Sequence, residues 1–415
     1  MSDILVTCSH DAIEQFYQYC SKKNYQKFYL VCDPNTYAVL GERVEKGLQS
    51  RGADVQIIKL TGKEIIADED YIFQTFLRLG EEPRTCLAVG SGTLTDITRF
   101  VSHRARLPFI SLPTAPSVDG FTSVGAPLVI RGYKQSIKCH APEAVFADLQ
   151  VLKESPRIMI AAGFGDMLGK YTALADWRLG KLILDEFYTF DEAVAQRSGR
   201  ALKACVDRVD EIGAATDEGV KAVFMGLIET GLCILAMGHS CPAAGAEHHL
   251  SHHLEMRLLI EGRPAVLHGA KVGFSTILVA EQYEKIRSLS RSDAAKLFEN
   301  APFPSVEREV AQINAFFGPI AEHIISSNMP FLKLVEAKYD YIKQRTLDQW
   351  DEIQKIAEFV PPSQELKRLL EIVGGPVTPE GITFTPEAVR TGLNNAHFLR
   401  DRITVAKLGH LLGLW

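Results

Sequence analysis

Cysteine pairing is missing from this chain. None of its eight cysteines (Cys8, Cys20, Cys32, Cys86, Cys139, Cys205, Cys233 and Cys241) stands two residues from another. Scattered thiols of this kind suit a reducing compartment and exclude a disulfide-stapled scaffold or a zinc ribbon. Positive charge is not in excess either. With 51 acidic and 45 basic side chains the net charge is −6, which excludes the electrostatic footprint of a nucleic-acid or anionic-membrane binder. Two or three local cations would still serve a small phosphorylated substrate. The most apolar long segment, residues 222–238, falls short of a bilayer span and carries Glu229, so it reads as a buried helix and membrane insertion is not expected. The first residues lack a basic segment followed by an apolar one, and a cytoplasmic protein is expected.

What is present is enough for two domains, since 415 residues can bury two sizeable cores. Short β-rich runs alternate with helical patterns over the first 150 residues. Expected strands cover 27–32, 54–60, 85–89 and 109–112, with helices over 37–51 and 68–79. That alternation predicts an α/β, Rossmann-like domain with a parallel sheet over residues 1–155. Long helical patterns then take over, at 169–188, 191–212, 217–237, 246–260, 271–283 and 290–300. Thr378-Pro379 and Thr385-Pro386 both read as helix starts. Residues 156–415 are accordingly expected to form an all-α domain.

Two loops of the first part suit a nucleotide. Gly90, Ser91, Gly92, Thr93, Leu94, Thr95 and Asp96 lead from the third expected strand into a helix. Glycines there let the backbone approach a pyrophosphate, and the free amides of a helix start favour an anion. Thr95 replaces the last glycine of the dinucleotide fingerprint, so a tight turn without a ligand is the competing reading. Residues 113–120, a loop with the small hydroxyls Thr114 and Ser117 and with Asp119, follow the next strand and would emerge at the same carboxyl edge, where open α/β sheets bind ligands. Asp33 ends the first expected strand. It can accept hydrogen bonds from a ribose or simply cap the turn with Pro34 and Asn35.

The sharper signal is histidine, because five of the twelve fall at His248, His249, His252, His253 and His268. His248 and His252 are four apart, as are His249 and His253, so each pair shares a helix face. Such pairs can be a solvated polar face or the start of a metal site. His268-Gly269 and the carboxylate of Gly163-Phe164-Gly165-Asp166 would complete a ligand set that leaves coordination positions open. The metalloprotease pattern His-Glu-x-x-His is absent.

Taken in order, Gly90–Asp96, Pro113–Asp119, Gly163–Asp166, Glu247–His252 and Leu267–Gly269 resemble the iron-dependent alcohol dehydrogenase, glycerol dehydrogenase and dehydroquinate synthase superfamily. Within it they are most similar to the glycerol-1-phosphate dehydrogenases, in particular the bacterial, arabinose-operon-encoded branch. The likeness runs over most of the chain and implies a dehydroquinate synthase-like fold. It implies one divalent ion, nickel, zinc or iron, held by Asp166, His248 and His268. It places Asp119 and His252 beside the substrate and Thr114, Ser117 and Ser123 beside NAD(H) or NADP(H). Two departures stand out: Pro116, where a small residue with a free amide is expected, and Ala270, where many relatives carry Glu.

The reaction so implied is reversible reduction of dihydroxyacetone phosphate to sn-glycerol 1-phosphate by a homodimer, supplying glycerophospholipid synthesis. Asp119, Asp166 and His252 would be its catalytic residues, while His249 and His253 are expected at the surface or behind the ligands. Lys134, Lys138 and Lys170 are candidate phosphate cations, with an ion pair to a carboxylate as the rival explanation for Lys170. Three other functions compete: a glycerol dehydrogenase acting on unphosphorylated substrates, a dehydroquinate synthase-like cyclase, and a non-catalytic nucleotide- or metal-binding regulator.

Overall fold

The computed structural model describes residues 4–415. The parallel sheet is present and has six strands, two more than the sequence suggested. They are β1 (Leu5–Ser9), β2 (Lys27–Cys32), β3 (Asp54–Lys59), β4 (Thr85–Val89), β5 (Phe109–Leu112) and β8 (Ala144–Asp148), while β6 (Gly125–Ile130) and β7 (Tyr133–Lys138) form a separate antiparallel hairpin. The spatial order is β1-β8-β5-β4-β2-β3. Every residue of β4 is buried, as a strand covered on both faces must be. β1 escaped the sequence reading because it is a short edge strand with mixed polarity, paired on one side to β8. The glycine loop therefore follows the fourth strand of the chain, not the third.

This order creates a switch point. From β2 the chain moves outward to β3, then returns to the other side of β2 and continues through β4, β5 and β8. The crevice between the carboxyl ends of β2 and β4 is where such sheets receive ligands. Asp33 lies at one lip and Gly90 at the other.

Helices cover both faces. On one, Phe16 of α1 (Ala12–Lys22) and Val44 and Leu48 of α2 (Glu42–Gln49) pack on Phe28, Leu30, Leu87 and Ile110. On the other, Leu94, Ile97 and Val101 of α4 (Gly92–Ala105) join Ile72 of α3 (Glu69–Phe76) and the hairpin residues Ala126 and Leu128.

No strand follows Asp148 among the described residues. The labelled helices beyond it are α5 (Arg157–Leu168), α6 (Lys170–Ile183), α7 (Glu192–Val206), α8 (Asp217–Met237), α9 (Ala246–Ile260), α10 (His268–Ser288), α11 (Val306–Phe317) and α12 (Val405–Leu411). One continuous core joins them to the sheet edge, since Cys8, Val145 and Ala147 pack with Phe164, Met167 and Phe224.

Four expectations need adjustment. The 191–212 helix breaks into α7 and Val209–Gly213, because the start of α8 crosses it: a Cβ on Gly219 would lie 2.3 Å from the Glu211 carbonyl carbon. The 271–283 helix begins three residues earlier, at His268. Thr385 caps a helix by accepting from Ala388 N–H, but Thr378-Pro379 opens only a single turn, ended at Thr383 in the left-handed region. Finally, α8 at 21 residues is long and apolar enough to cross a membrane by length and composition. Its buried side, including Val223, Phe224 and Leu227, belongs to the helical core.

Candidate functional site

Small residues bring Asp166 and His268 together. On α5, a Cβ at Gly165 would fall 2.4 Å from the carbonyl oxygen of Gly269, and one at Gly269 would fall 1.9 Å from that of Ala162. These are backbone-to-backbone approaches, so no rotamer change could make room. The close crossing of α5 and α10 sets Asp166 beside His268, the first residue of its helix. Gly163 does the same for the Pro113–Asp119 loop, its missing Cβ leaving space for the Pro116 carbonyl. Pro116 thus stands where the loop backbone presses on α5.

His248 is the third residue of α9, and the start of that helix is fixed by a buried carboxylate. Asp176 of α6 accepts from Ala246 N–H at 2.7 Å, from Tyr283 Oη–H at 2.6 Å and from Val405 N–H at 2.7 Å. Burial, reinforced by Glu247, pushes the Asp176 carboxyl up to about 7. One side chain thereby ties α6 to α9, α10 and α12.

Asp166, His248 and His268 each offer a donor atom within 4.8 Å of the others. His248 Nε2 lies 3.6 Å from Asp166 Oδ1, and the two imidazole centroids are 5.2 Å apart. Glu247 Oε1 is 2.7 Å from His248 Nδ1. A carboxylate can only accept there, so Nδ1 carries the proton and Nε2 is left as a ligand atom. Glu247 is held in turn by Gly245 N–H and the Thr172 hydroxyl.

Lys170 is the residue whose role the structure changes most. Its buried ammonium donates to Asp166 Oδ1 at 2.9 Å, to Asp119 Oδ2 at 2.8 Å and to the Ala243 carbonyl at 3.1 Å. The rival explanation holds: it is an ion-pair residue, not a free phosphate cation. The Asp119 N–H also donates to Asp166 Oδ2 at 3.0 Å. Burial would raise the Asp166 carboxyl, but Lys170, His248 and His268 outweigh it and hold the group well down. Asp119 moves the other way, raised by burial and by Asp166.

His252 lies one turn beyond His248, its ring 5.4 Å from that of His268. Burial lowers it to about 4, so it is neutral near pH 7. With Glu255 and His268 it forms a second group whose donor atoms lie within 4.8 Å of one another. His249 and His253 are not at the surface. Both are buried on α9, and His253 stacks at 4.8 Å on Phe316 of α11.

The glycine loop and the hydroxyl loop meet at the sheet edge through a hydrogen bond between Ser91 and Ser117. Thr93 is half-buried, and the Thr95 hydroxyl is buried without a partner. Leu94 points into the core, so it can offer only backbone. A Cβ on Gly92 would meet Val118 at 3.1 Å. Asp96 pairs with the fully buried Arg99 at 2.7 Å, and burial raises its carboxyl to about 7. Arg99 also donates to the carbonyls of Phe121 and Gly125, pinning the segment that carries Asp119 and Ser123. Thr114 is buried, and Ser123 Oγ accepts from Gly125 N–H. Asp33 accepts from Thr36 N–H at 2.7 Å, so the turn-capping role is realised.

The sequence reading missed Glu255 and Arg99 and gave no role to Lys271 or Arg400. A charge three residues from a histidine or aspartate on one helix was the available signal for the first two.

Residues 7–156 match the family model described as iron-containing alcohol dehydrogenase. A glycerol-1-phosphate dehydrogenase [NAD(P)+] from Geobacillus thermodenitrificans is 37% identical over 404 residues, covering 96% of this chain and 90% of its own. One from Halalkalibacterium halodurans is 38% identical over 401 residues, covering 95% and 89%. Among solved structures, a glycerol dehydrogenase from Schizosaccharomyces pombe has the same fold, with a TM-score of 0.61 at 16% identity, covering 100% of this chain and 90% of that one.

Proposed function

The chain belongs to the glycerol-1-phosphate dehydrogenases within the iron-containing alcohol dehydrogenases, and from that premise we propose that it reduces dihydroxyacetone phosphate to sn-glycerol 1-phosphate with NADH or NADPH. The carrying observation is the Asp166, His248 and His268 cluster, with donors within 4.8 Å at the end of the glycine-packed helices. In this reading residues 1–155 bind the nucleotide and 156–415 carry the metal and substrate.

The donor set suits a divalent transition ion. It combines one carboxylate with two imidazoles, one already oriented by a carboxylate behind it, and His268 Nδ1 is buried without a partner. Nickel and zinc are the ions proposed first, with iron as the alternative. A bound ion supplies Lewis acidity toward the carbonyl oxygen as charge develops on it.

The remaining work falls to the chain. Asp119, fixed by Lys170, accepts a hydrogen bond from a substrate hydroxyl. Neutral His252, its side chain 22% exposed, hydrogen-bonds a substrate hydroxyl or passes a proton to solvent. Gly90, Gly92, Thr93, Leu94, Thr95 and Asp96 form the cofactor's cradle with Thr114, Ser117 and Ser123, and Asp33 stands at the ribose lip of the switch point. The nicotinamide carries the hydride. Lipid synthesis, a cytoplasmic location and a homodimer complete the proposal.

The test is NADH or NADPH oxidation after chelation, with nickel, zinc or iron returned singly. Metal-restored activity on dihydroxyacetone phosphate, absent with dihydroxyacetone and yielding only sn-glycerol 1-phosphate by chiral analysis, supports it. Turnover of the unphosphorylated ketone alone, or none with any metal, refutes it.

A further inference from the structure

Three cations from three separate segments converge on one turn of α9, the turn that carries His252 and Glu255. Lys134 of β7 places its ammonium 2.7 Å from Glu255 Oε1. Lys271 of α10 is fully buried, and Glu255 is the acid that acts on it most strongly. Arg400, in the segment before α12, directly follows Phe398 and Leu399, which pack in one apolar cluster with Tyr133 and Met256, the chain neighbours of Lys134 and Glu255. Glu255 therefore has more positive charge around it than it can neutralise.

Lys134 uses that single carboxylate. Among the described residues no carboxylate, Glu255 included, lies at ion-pair distance from Lys271 or Arg400. Lys271 spends one N–H on the Val266 carbonyl and has two left. Burying an ammonium without a counter-ion is costly, and burial holds Lys271 down at about 8. The polar atoms between these cations are unsatisfied too. Glu255 Oε2 and His252 Nδ1 lie 3.6 Å apart, too long for a hydrogen bond, and both are buried without another partner. Buried groups left open together mark a place for a polar ligand, since folding cores satisfy theirs.

Lys134 is paired with Glu255, whereas Lys271 and Arg400 have no carboxylate at ion-pair distance, an arrangement that suits the near-double negative charge of a phosphomonoester. An arginine fork and an ammonium are the ordinary partners of phosphoryl oxygens. His268 belongs both to this cluster and to the Asp166–His248 group, so one end of a short substrate can reach each. Lys170 is consumed by two carboxylates and Lys138 is exposed, so neither competes for this role.

We propose that Lys271 and Arg400, with Lys134 beside them, bind the phosphoryl group of the ketone substrate and set the preference for phosphorylated over unphosphorylated ketone. The assignment rests on the dihydroxyacetone phosphate reading above. It also explains why a lysine is kept buried one helical turn after His268.

The test compares metal-loaded wild type with Lys271→Met and Arg400→Leu. For dihydroxyacetone phosphate, kcat/KM falls by about 30-fold or more in each, mainly through KM, as when one partner of a buried charge pair is removed. A second readout needs no turnover: with saturating NAD+, millimolar inorganic phosphate raises the wild-type melting temperature and raises neither variant's. A kcat/KM for dihydroxyacetone phosphate that is unchanged, or that falls through kcat with KM unmoved, or a phosphate shift retained in both variants, overturns the assignment. A wild type that reduces only the unphosphorylated ketone defeats the functional reading instead, and the melting shift then decides the phosphate site by itself.

Discussion

Glu247 Oε1 stands 2.7 Å from His248 Nδ1, and the two are neighbours in the chain as well as in space. The carboxylate fixes the tautomer of its neighbour and makes Nε2 a stronger base. Glu247→Gln keeps the shape and removes the charge. We expect divalent-metal affinity to fall about 10- to 100-fold in chelator competition, the usual consequence of losing such support. Unchanged affinity would show that Glu247 serves only the Gly245 and Thr172 hydrogen bonds.

The glycines of α5 and α10 predict a packing effect with a chemical readout. Gly165→Ala sets a methyl 2.4 Å from the Gly269 carbonyl oxygen, and Gly269→Ala sets one 1.9 Å from that of Ala162. Forced apart, the helices lose about 1–3 kcal/mol of stability or more, and the metal group opens. Both variants should melt lower and bind metal poorly. Gly52→Ala is the control: it strains a residue at φ +81° with open space around it, so it costs stability and leaves metal binding intact.

Lys170→Met leaves Asp119 and Asp166 buried side by side without their shared cation. Breaking a buried pair from one side costs about 3–5 kcal/mol. Urea denaturation of the metal-free protein should show a loss of that order. A near-neutral result would mean that the two carboxylates already share a proton.

A second buried ion group, far along the chain from the first, sets acid stability. Burial pushes the Glu309 carboxyl up, but His410 and Lys407 outweigh it and hold it at about 2. A carboxylate depressed on folding stabilises above its unfolded pKa, and the gain is lost as pH falls through the folded one. The window therefore runs from about pH 4.5 down to about 2. Lys407 is itself lowered by burial, which Glu309 offsets only in part, so the net gain is smaller than Glu309 alone suggests. Glu309→Gln should cost roughly 3 kcal/mol at pH 7. The gap to wild type should shrink through that window in urea titrations at stepped pH.

Much of this was legible in the sequence, for identifiable reasons. Buried parallel strands such as Thr85–Val89 read as continuous apolar runs, and helix Ala246–Ile260 was found to the residue. The ligand candidates stood out because histidines four apart share a face, and because Asp166 sat among residues too small to be ordinary core. What stayed hidden depended on partners distant in the chain. For Lys170 the pair with Asp166 four residues earlier was one of two open readings, but its second carboxylate, Asp119, is fifty-one positions away and left no local sign. Lys271 and Arg400 carry no local pattern, since their meaning lies in sharing one turn of helix with Lys134. Leu5–Ser9 was missed because an edge strand need not be uniformly apolar. For His249 and His253 the surface and a place behind the ligands both stayed open, because polarity alone says nothing about which helix will cover a side chain.

His268 belongs to two candidate ligand groups, one with Asp166 and His248, the other with His252 and Glu255. Metal content after chelation, reloading with nickel or zinc and exhaustive dialysis separates them, using wild type, Asp166→Asn and Glu255→Gln. The account predicts one ion per chain in wild type and in Glu255→Gln, and none in Asp166→Asn. An ion retained by Asp166→Asn and lost from Glu255→Gln would contradict it.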